Sequence, residues 1–149
     1  SKIAFPHKTR ESVESSLQSF SNSSLLMGEP GDLVSYTCQE IARYIGGENV
    51  IFNQILDLVG TKFQIDVWNT VRNIPLGETR SYSWVAESIN NPKAVRAIGN
   101  AMSRNPVPII IPCHRVIGKD GSMTGYGGKL GVGIKAKLLK LEVILALTL

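Results

Sequence analysis

The sequence predicts an α+β fold in two unequal parts: a short α/β segment over residues 1–60, then a mostly helical domain over 61–149. Three observations carry this expectation. The formal charge divides at Gly60, with four Lys/Arg against seven Asp/Glu before it (−3) and twelve against five after it (+7). Apolar residues at helical spacing, with caps and stops, recur after Gly60 and are sparse before it. A short β-branched run, Ile109–Ile111, suits a buried extended segment and leads into a glycine-rich stretch.

A chain of 149 residues and 16.2 kDa can bury one core. With 43% hydrophobic and 19% charged residues it has the composition of a globular domain. No apolar run reaches the roughly 18 residues of a membrane span, so no membrane partner is expected. The first residues lack a basic-then-apolar signal pattern, which points to a cytoplasmic protein, or a nuclear one in a eukaryote. Two cysteines cannot build a disulfide framework, and no local Cys/His cluster suggests a metal. The basic second part fits a polyanion-binding domain, and equally a basic solvated surface.

In chain order, Lys2–Phe5 suits a strand, Arg10–Phe20 has helical spacing, and Ser21–Asp32 reads as a loop. Val34–Tyr44 reads as a helix with Cys38, Ile41 and Tyr44 on its buried side, stopped by Gly46-Gly47. Val50–Leu58 suits a strand or an extended connection. Thr61 can cap a helix carrying Phe63, Val67, Trp68 and Val71 toward the core, ended by Pro75 and Gly77. Ser81 or Ser83 starts a second helix through Ile89. Asn91-Pro92 starts a third, Asn as cap and Pro in the first turn, running to about Arg104. Its inner side is Ala94, Val95, Ile98, Ala101 and Met102; its outer side is Lys93, Arg96, Ala97, Asn100 and Arg104. Gly118–Gly133 reads as a glycine-rich loop and Ile134–Leu147 as a terminal helix. The second and third helices form a helix-turn-helix pattern, which also occurs in packed domains with no nucleic-acid role.

Cys113 stands between Pro112 and His114, with Arg115 next. A thiol reacts as thiolate, and cationic neighbours lower its pKa. An adjacent His is a candidate base, directly or through one water. From local chemistry alone, a buried structural cysteine and a reactive one both remain open. Cys38, on an apolar helix face with no His or Arg beside it, reads as structural.

Pro112-Cys113-His114-Arg115-Val116, preceded by Asn105-Pro106-Val107-Pro108-Ile109-Ile110-Ile111, closely resembles the active-site signature of the O6-alkylguanine-DNA alkyltransferases. The likeness runs from about Gly60 to Glu142. It includes the Phe63–Trp68 helix, Ile74–Tyr82 and Asn91–Gly99 in the family's order. The resemblance implies a winged helix-turn-helix-like DNA-binding motif after a reduced or truncated RNase H-like N-terminal part. It further implies direct-reversal repair: an alkyl group passes irreversibly from O6 of guanine in double-stranded DNA to Cys113 after nucleotide flipping, with no cofactor, by a monomer.

Residue by residue, the resemblance makes Cys113 the alkyl acceptor, His114 the base acting through a water, and Glu142 the carboxylate orienting it. Asn105 would brace the turn before the active-site loop, and Tyr82 would donate to the departing base. Arg96 would fill the space of the flipped nucleotide. Lys93, Ala97, Gly99 and Asn100 would meet DNA. Tyr126, Gly127, Met102, Pro108, Val116 and Lys135 would line the substrate pocket. The rival readings are a helix-turn-helix protein that recognises alkylated DNA without repairing it, and a cysteine hydrolase.

Overall fold

A computed structural model of the chain describes residues 33–123 and 128–147. The expectations for Lys2–Phe5, Arg10–Phe20 and Ser21–Asp32 lie outside the described residues. The fold is mostly helical with one small sheet. Its elements are α1 (Leu33–Ile45), α2 (Lys62–Arg72), β1 (Arg80–Ser81), α3 (Tyr82–Ser88), α4 (Val95–Ser103), a 3₁₀ turn (Cys113–Arg115), β2 (Val116–Ile117) and α5 (Gly128–Leu147).

The expected helix over Val34–Tyr44 is α1, but its buried stripe differs. Glu40 and Tyr44 are buried and Ile41 half-buried, whereas Cys38 is exposed. Positions 40, 41 and 44 lie on one face, and Cys38 is turned off it. Residues 48–59 form neither helix nor strand, yet Val50 and Gln54 within them are buried. Thr61 then caps α2 through a capping box: its side chain accepts from Gln64 N, and Gln64 answers to the Thr61 amide at 2.9 Å. Val67, Trp68 and Val71 are buried on the inner face. Trp68 Nε1 donates to the Ala101 carbonyl at 2.9 Å, fastening α2 to α4.

Ser81 caps α3 by accepting from Trp84 N. The third helix begins later than Asn91-Pro92 suggests. Those residues form a turn closed by Ala94 N donating to Asn91 O at 3.0 Å, and α4 starts at Val95. Asn followed by Pro suits positions i and i+1 of a β-turn as well as a helix start. Here the turn wins. Ile98, Ala101 and Met102 point inward as expected, but Val95 is 40% exposed and Ala94 only half-buried. Helices α2, α3 and α4 pack on one another around this core.

The expected extended segment at Ile109–Ile111 is instead a tight turn. Ile111 N donates to Val107 O at 2.9 Å, and Ile109 takes φ +78°. Positive φ in a β-branched residue is strained. The parallel pairing lies further along, Arg80 with Val116 and Ser81 with Ile117, so β2 follows Cys113 rather than preceding it. The terminal helix begins at Gly128 and not Ile134: part of the glycine-rich stretch is helical. Leu138 and Leu145 of α5 are buried, with Ile134 and Leu141 packed beside them.

The turn between α2 and β1 contains Gly77 at φ +78°. A Cβ there would stand 2.7 Å from the Ala146 Cβ of α5. Gly77→Ala combines backbone strain with a steric clash and is expected to cost about 1–3 kcal/mol of stability. Adding Ala146→Gly should recover the steric part and leave the strain, as read by urea denaturation of both variants.

Candidate active site

Cys113 opens the 3₁₀ turn, and Asn105 holds that turn to the end of α4. The Asn105 amide Nδ2 donates to Ile111 O at 2.8 Å and to Cys113 Sγ at 3.1 Å, while its Oδ1 accepts from Val107 N at 3.0 Å. One side chain therefore fixes both sides of the strained Ile109 turn. Cys113 is 6% exposed. Burial pushes its thiol pKa up, against smaller lowering effects from the Asn105 hydrogen bond and the Lys135 charge. A cationic neighbour thus does lower the thiol pKa, but it is Lys135, and burial outweighs it. The Arg115 guanidinium is taken up by Glu142.

His114 and Glu142 are both completely buried. His114 Nε2 lies 2.9 Å from Glu142 Oε1. Since a carboxylate only accepts, Nε2 carries the proton and Nδ1 is the basic nitrogen of the neutral ring. Nδ1 is buried and has no hydrogen-bond partner among the described residues. Desolvation lowers the His114 pKa, against the raising effect of Glu142. The ring is thus neutral, with one nitrogen available to receive a proton.

Glu142 receives more than His114. Arg115 Nη2 donates to Oε1 at 2.8 Å, and Arg115 Nε reaches Oε1 at 3.1 Å and Oε2 at 3.0 Å. Tyr44 Oη donates to Oε1 at 2.6 Å, and Gly77 N approaches Oε2 at 3.4 Å. Arg115 also donates to the Ile74 carbonyl. Burial raises the Glu142 pKa, but hydrogen bonds from His114, Arg115 and Tyr44 more than reverse this and hold it down to about 2.

Lys135, two turns before Glu142 on α5, is also fully buried. It donates to the Val116 carbonyl and sits 5.8 Å from the centre of the Tyr82 ring. Burial lowers its pKa. The structure thus brings Cys113, His114, Glu142, Asn105, Tyr82 and Lys135 into one region. Met102, Pro108 and Val116 are buried. Tyr126 and Gly127 lie outside the described residues. Arg96, Ala97 and Asn100 are exposed on α4, Lys93 is exposed in the turn before it, and Gly99 is half-buried with nothing within 4 Å of where a Cβ would stand. A cleft of about 340 Å³ adjoins Arg115. Val50, Phe52, Ile74, Leu76, Ile109 and Arg115 line it, and Cys113 does not.

Sequence reasoning missed Tyr44 as a member of this network and misassigned Arg115. Tyr44 carried a signal: a tyrosine on a buried helical face needs a partner for its hydroxyl. Arg115 carried none that distinguishes pairing with Cys113 from pairing with a residue 27 positions away. Among the described residues, no group of three or more His, Cys, Asp or Glu is placed to hold a metal ion, and no helix is long and apolar enough to cross a membrane.

Residues 62–144 match the family described as 6-O-methylguanine DNA methyltransferase, DNA binding domain. The chain is 49% identical over 119 residues to an inducible methylated-DNA–protein-cysteine methyltransferase of Bacillus subtilis, covering 80% of this chain and 65% of that protein. It is 51% identical over 104 residues to a methylated-DNA–protein-cysteine methyltransferase of Methanosarcina acetivorans, covering 70% and 65%. It therefore spans just under two thirds of the length of these two curated relatives. The crystal structure of Mycobacterium tuberculosis OGT in complex with DNA superposes with a TM-score of 0.70 at 48% identity, covering 74% of this chain and 68% of that one.

His114 and Glu142 both bind protons more tightly in the unfolded chain, from ordinary values of 6.5 and 4.5. Stability from this pair is therefore complete above about pH 6.5. It falls as the pH drops past the lowered His114 value, and again between 4.5 and about 2 for Glu142. Glu142→Gln leaves Arg115 buried without its counter-charge and is expected to cost about 3–5 kcal/mol at pH 7. It should also flatten the step below pH 4.5. Denaturant titrations from pH 3 to 7 check both.

Proposed function

The chain belongs to the 6-O-methylguanine DNA methyltransferase family, and from that premise we propose that it repairs O6-alkylguanine in double-stranded DNA by irreversible transfer of the alkyl group to Cys113. One observation carries the reading. A buried thiol is held by Asn105 beside a histidine whose Nε2 is committed to Glu142 and whose Nδ1 is unpartnered among the described residues. A cysteine with only a packing role would not need the neighbouring base.

The reaction begins with a protonated thiol. Its proton passes to His114 Nδ1 through a water, and the imidazolium is stabilised by Glu142. The thiolate attacks the alkyl carbon in line. The S–C bond forms as the C–O6 bond breaks, and the electron pair leaves with guanine. Tyr82 donates a proton to the purine ring, and the Lys135 ammonium beside its ring makes the phenol a better donor. His114 then releases its proton to solvent and Tyr82 regains one, so in net terms the thiol proton replaces the alkyl group on guanine. The product thioether has no leaving group that these residues can expel, so each molecule acts once. This chemistry calls for no cofactor.

The O6 atom is out of reach in a stacked duplex, so the nucleotide must leave the helix. In this reading α3, the turn and α4 act as a winged helix-turn-helix-like motif. Ala97, Gly99 and Asn100 approach the minor groove, Lys93 meets phosphate, and Arg96 fills the vacated space. The open surface at Gly99 supports close approach. Met102, Pro108, Val116, Lys135, Tyr126 and Gly127 bound the base pocket, and the DNA-binding unit begins near Gly60. In this reading it acts as a monomer, wherever the cell keeps its DNA: the cytoplasm, or a eukaryotic nucleus.

Incubation with an O6-methylguanine oligonucleotide should add one methyl group to the intact protein, with peptide mapping placing it on Cys113 and leaving the exposed Cys38 unmodified. Repeated turnover in excess DNA, or methylation of Cys38, would overturn the mechanism. Cys113→Ser should abolish transfer and keep salt-sensitive DNA affinity, because phosphate contacts lie elsewhere.

Arg96 provides an internal control. A flipped nucleotide leaves a stacking deficit of about a few kcal/mol, which a planar cation can offset and alanine cannot. Arg96→Ala is expected to slow repair of duplex DNA by about 10–100-fold and to leave the reaction with free O6-benzylguanine nearly unchanged. Equal slowing on both substrates would assign Arg96 to the fold or the pocket instead.

A further inference from the structure

The network around Glu142 includes a tyrosine that the proposed mechanism does not use. Tyr44 is 1% exposed and comes from α1, 70 residues before His114. Its hydroxyl donates to Glu142 Oε1 at 2.6 Å, and its oxygen lies 3.4 Å from His114 Nε2. The hydroxyl therefore shares one carboxylate oxygen with the imidazole and touches the imidazole as well. Its ring is fixed independently, edge-on to Phe52 with centroids 5.7 Å apart.

We propose that Tyr44 is a positioning residue for the transfer site: by donating to the Glu142 oxygen that also accepts from His114, it limits the negative charge that this oxygen presents to the imidazole and keeps Nδ1 bare until the thiol proton arrives. The physical argument concerns a shared acceptor. Each donor to Oε1 draws on the same charge, so every added donor weakens the hold on the others. Arg115 already neutralises the carboxylate through both oxygens. Tyr44 withdraws more charge from the oxygen facing His114. Without the hydroxyl, Glu142 would stabilise the imidazolium more strongly, and His114 would take its proton from solvent at a higher pH. Such a protonated ring cannot accept from Cys113. The other groups facing the imidazole are fixed in sign: Glu142 favours its charged form, while Arg115 from the same turn and Lys135 from α5 oppose it. Neutral Tyr44 from α1 completes the set and acts through Glu142.

The role rests on the reading of His114 as the base, yet its test does not depend on transfer. The chain contains two histidines, His7 and His114, so ¹⁵N imidazole spectra of the full chain can be assigned with His7→Gln. Tyr44→Phe keeps the ring on Phe52 and removes only the hydroxyl. The His114 titration midpoint is expected to rise by about one pH unit, and the acid limb of the transfer rate with an O6-methylguanine duplex should move up with it. An unchanged midpoint in a folded Tyr44→Phe protein would overturn the proposal and leave Tyr44 a packing residue. If Tyr44→Phe does not fold, 2,3-difluorotyrosine at position 44 is the second arm. It is a stronger donor of nearly the same shape and should move the midpoint down; no movement, or movement up, is equally fatal. Absence of transfer in the unmodified protein would remove the alkyltransferase reading while the titration result still decides the role of Tyr44.

Discussion

A single buried carboxylate organises this molecule. Glu142 sits on α5 with no exposure to solvent, and its two oxygens accept from Tyr44 on α1, Gly77 in the turn after α2, and His114 and Arg115 in the 3₁₀ turn. Removing a carboxylate from water costs several kcal/mol, and only a filled set of donors offsets it. The groups that offset it come from three separate stretches of chain. The same contacts that make the charge tolerable therefore fix where α5, the active turn and α1 meet. The histidine inherits its tautomer from that arrangement.

The sulfur is held by a different device. Asn105 uses its amide nitrogen on Ile111 O and Cys113 Sγ, and its oxygen on Val107 N. This bracket encloses Ile109, whose positive φ is costly for a β-branched side chain. Strain at this point is tolerated because the turn is tied at both ends and because Val107, Ile110 and Ile111 are buried. The outcome is a short 3₁₀ turn over Cys113–Arg115 in place of a continuous strand, whose alternation would have sent the Cys113 and His114 side chains to opposite faces.

The buried and exposed groups divide the work. The thiol, the histidine, the glutamate and Lys135 are sheltered from solvent, whereas Lys93, Arg96, Ala97 and Asn100 stand in it. A sheltered thiol has a raised pKa, which keeps it protonated and protects it from adventitious electrophiles. Its reactivity then depends on the base beside it and on a substrate brought to it. This division suits the single-use transfer proposed above, in which premature modification would consume the molecule.

Much of this was legible in the sequence because the signals were local. The Thr61 and Ser81 caps, the apolar spacing of Val67, Trp68 and Val71, and Ile98, Ala101 and Met102 on the inner side of α4 follow from residue type and helical period. The order of motifs around Asn105, Cys113 and His114 marked the family. What the sequence could not determine depended on distance in space. Asn91-Pro92 fits a turn and a helix start equally well, and packing selected the turn. Ile109–Ile111 has the composition of a strand, but the Asn105 bracket bent it. Arg115 adjoins the cysteine in sequence yet pairs with Glu142, because a buried carboxylate 27 residues away is the stronger demand for a cation. Tyr44 reaches the same carboxylate across 98 residues. Local propensity is written in neighbouring residues; the satisfaction of a buried charge is decided only when distant segments are brought together.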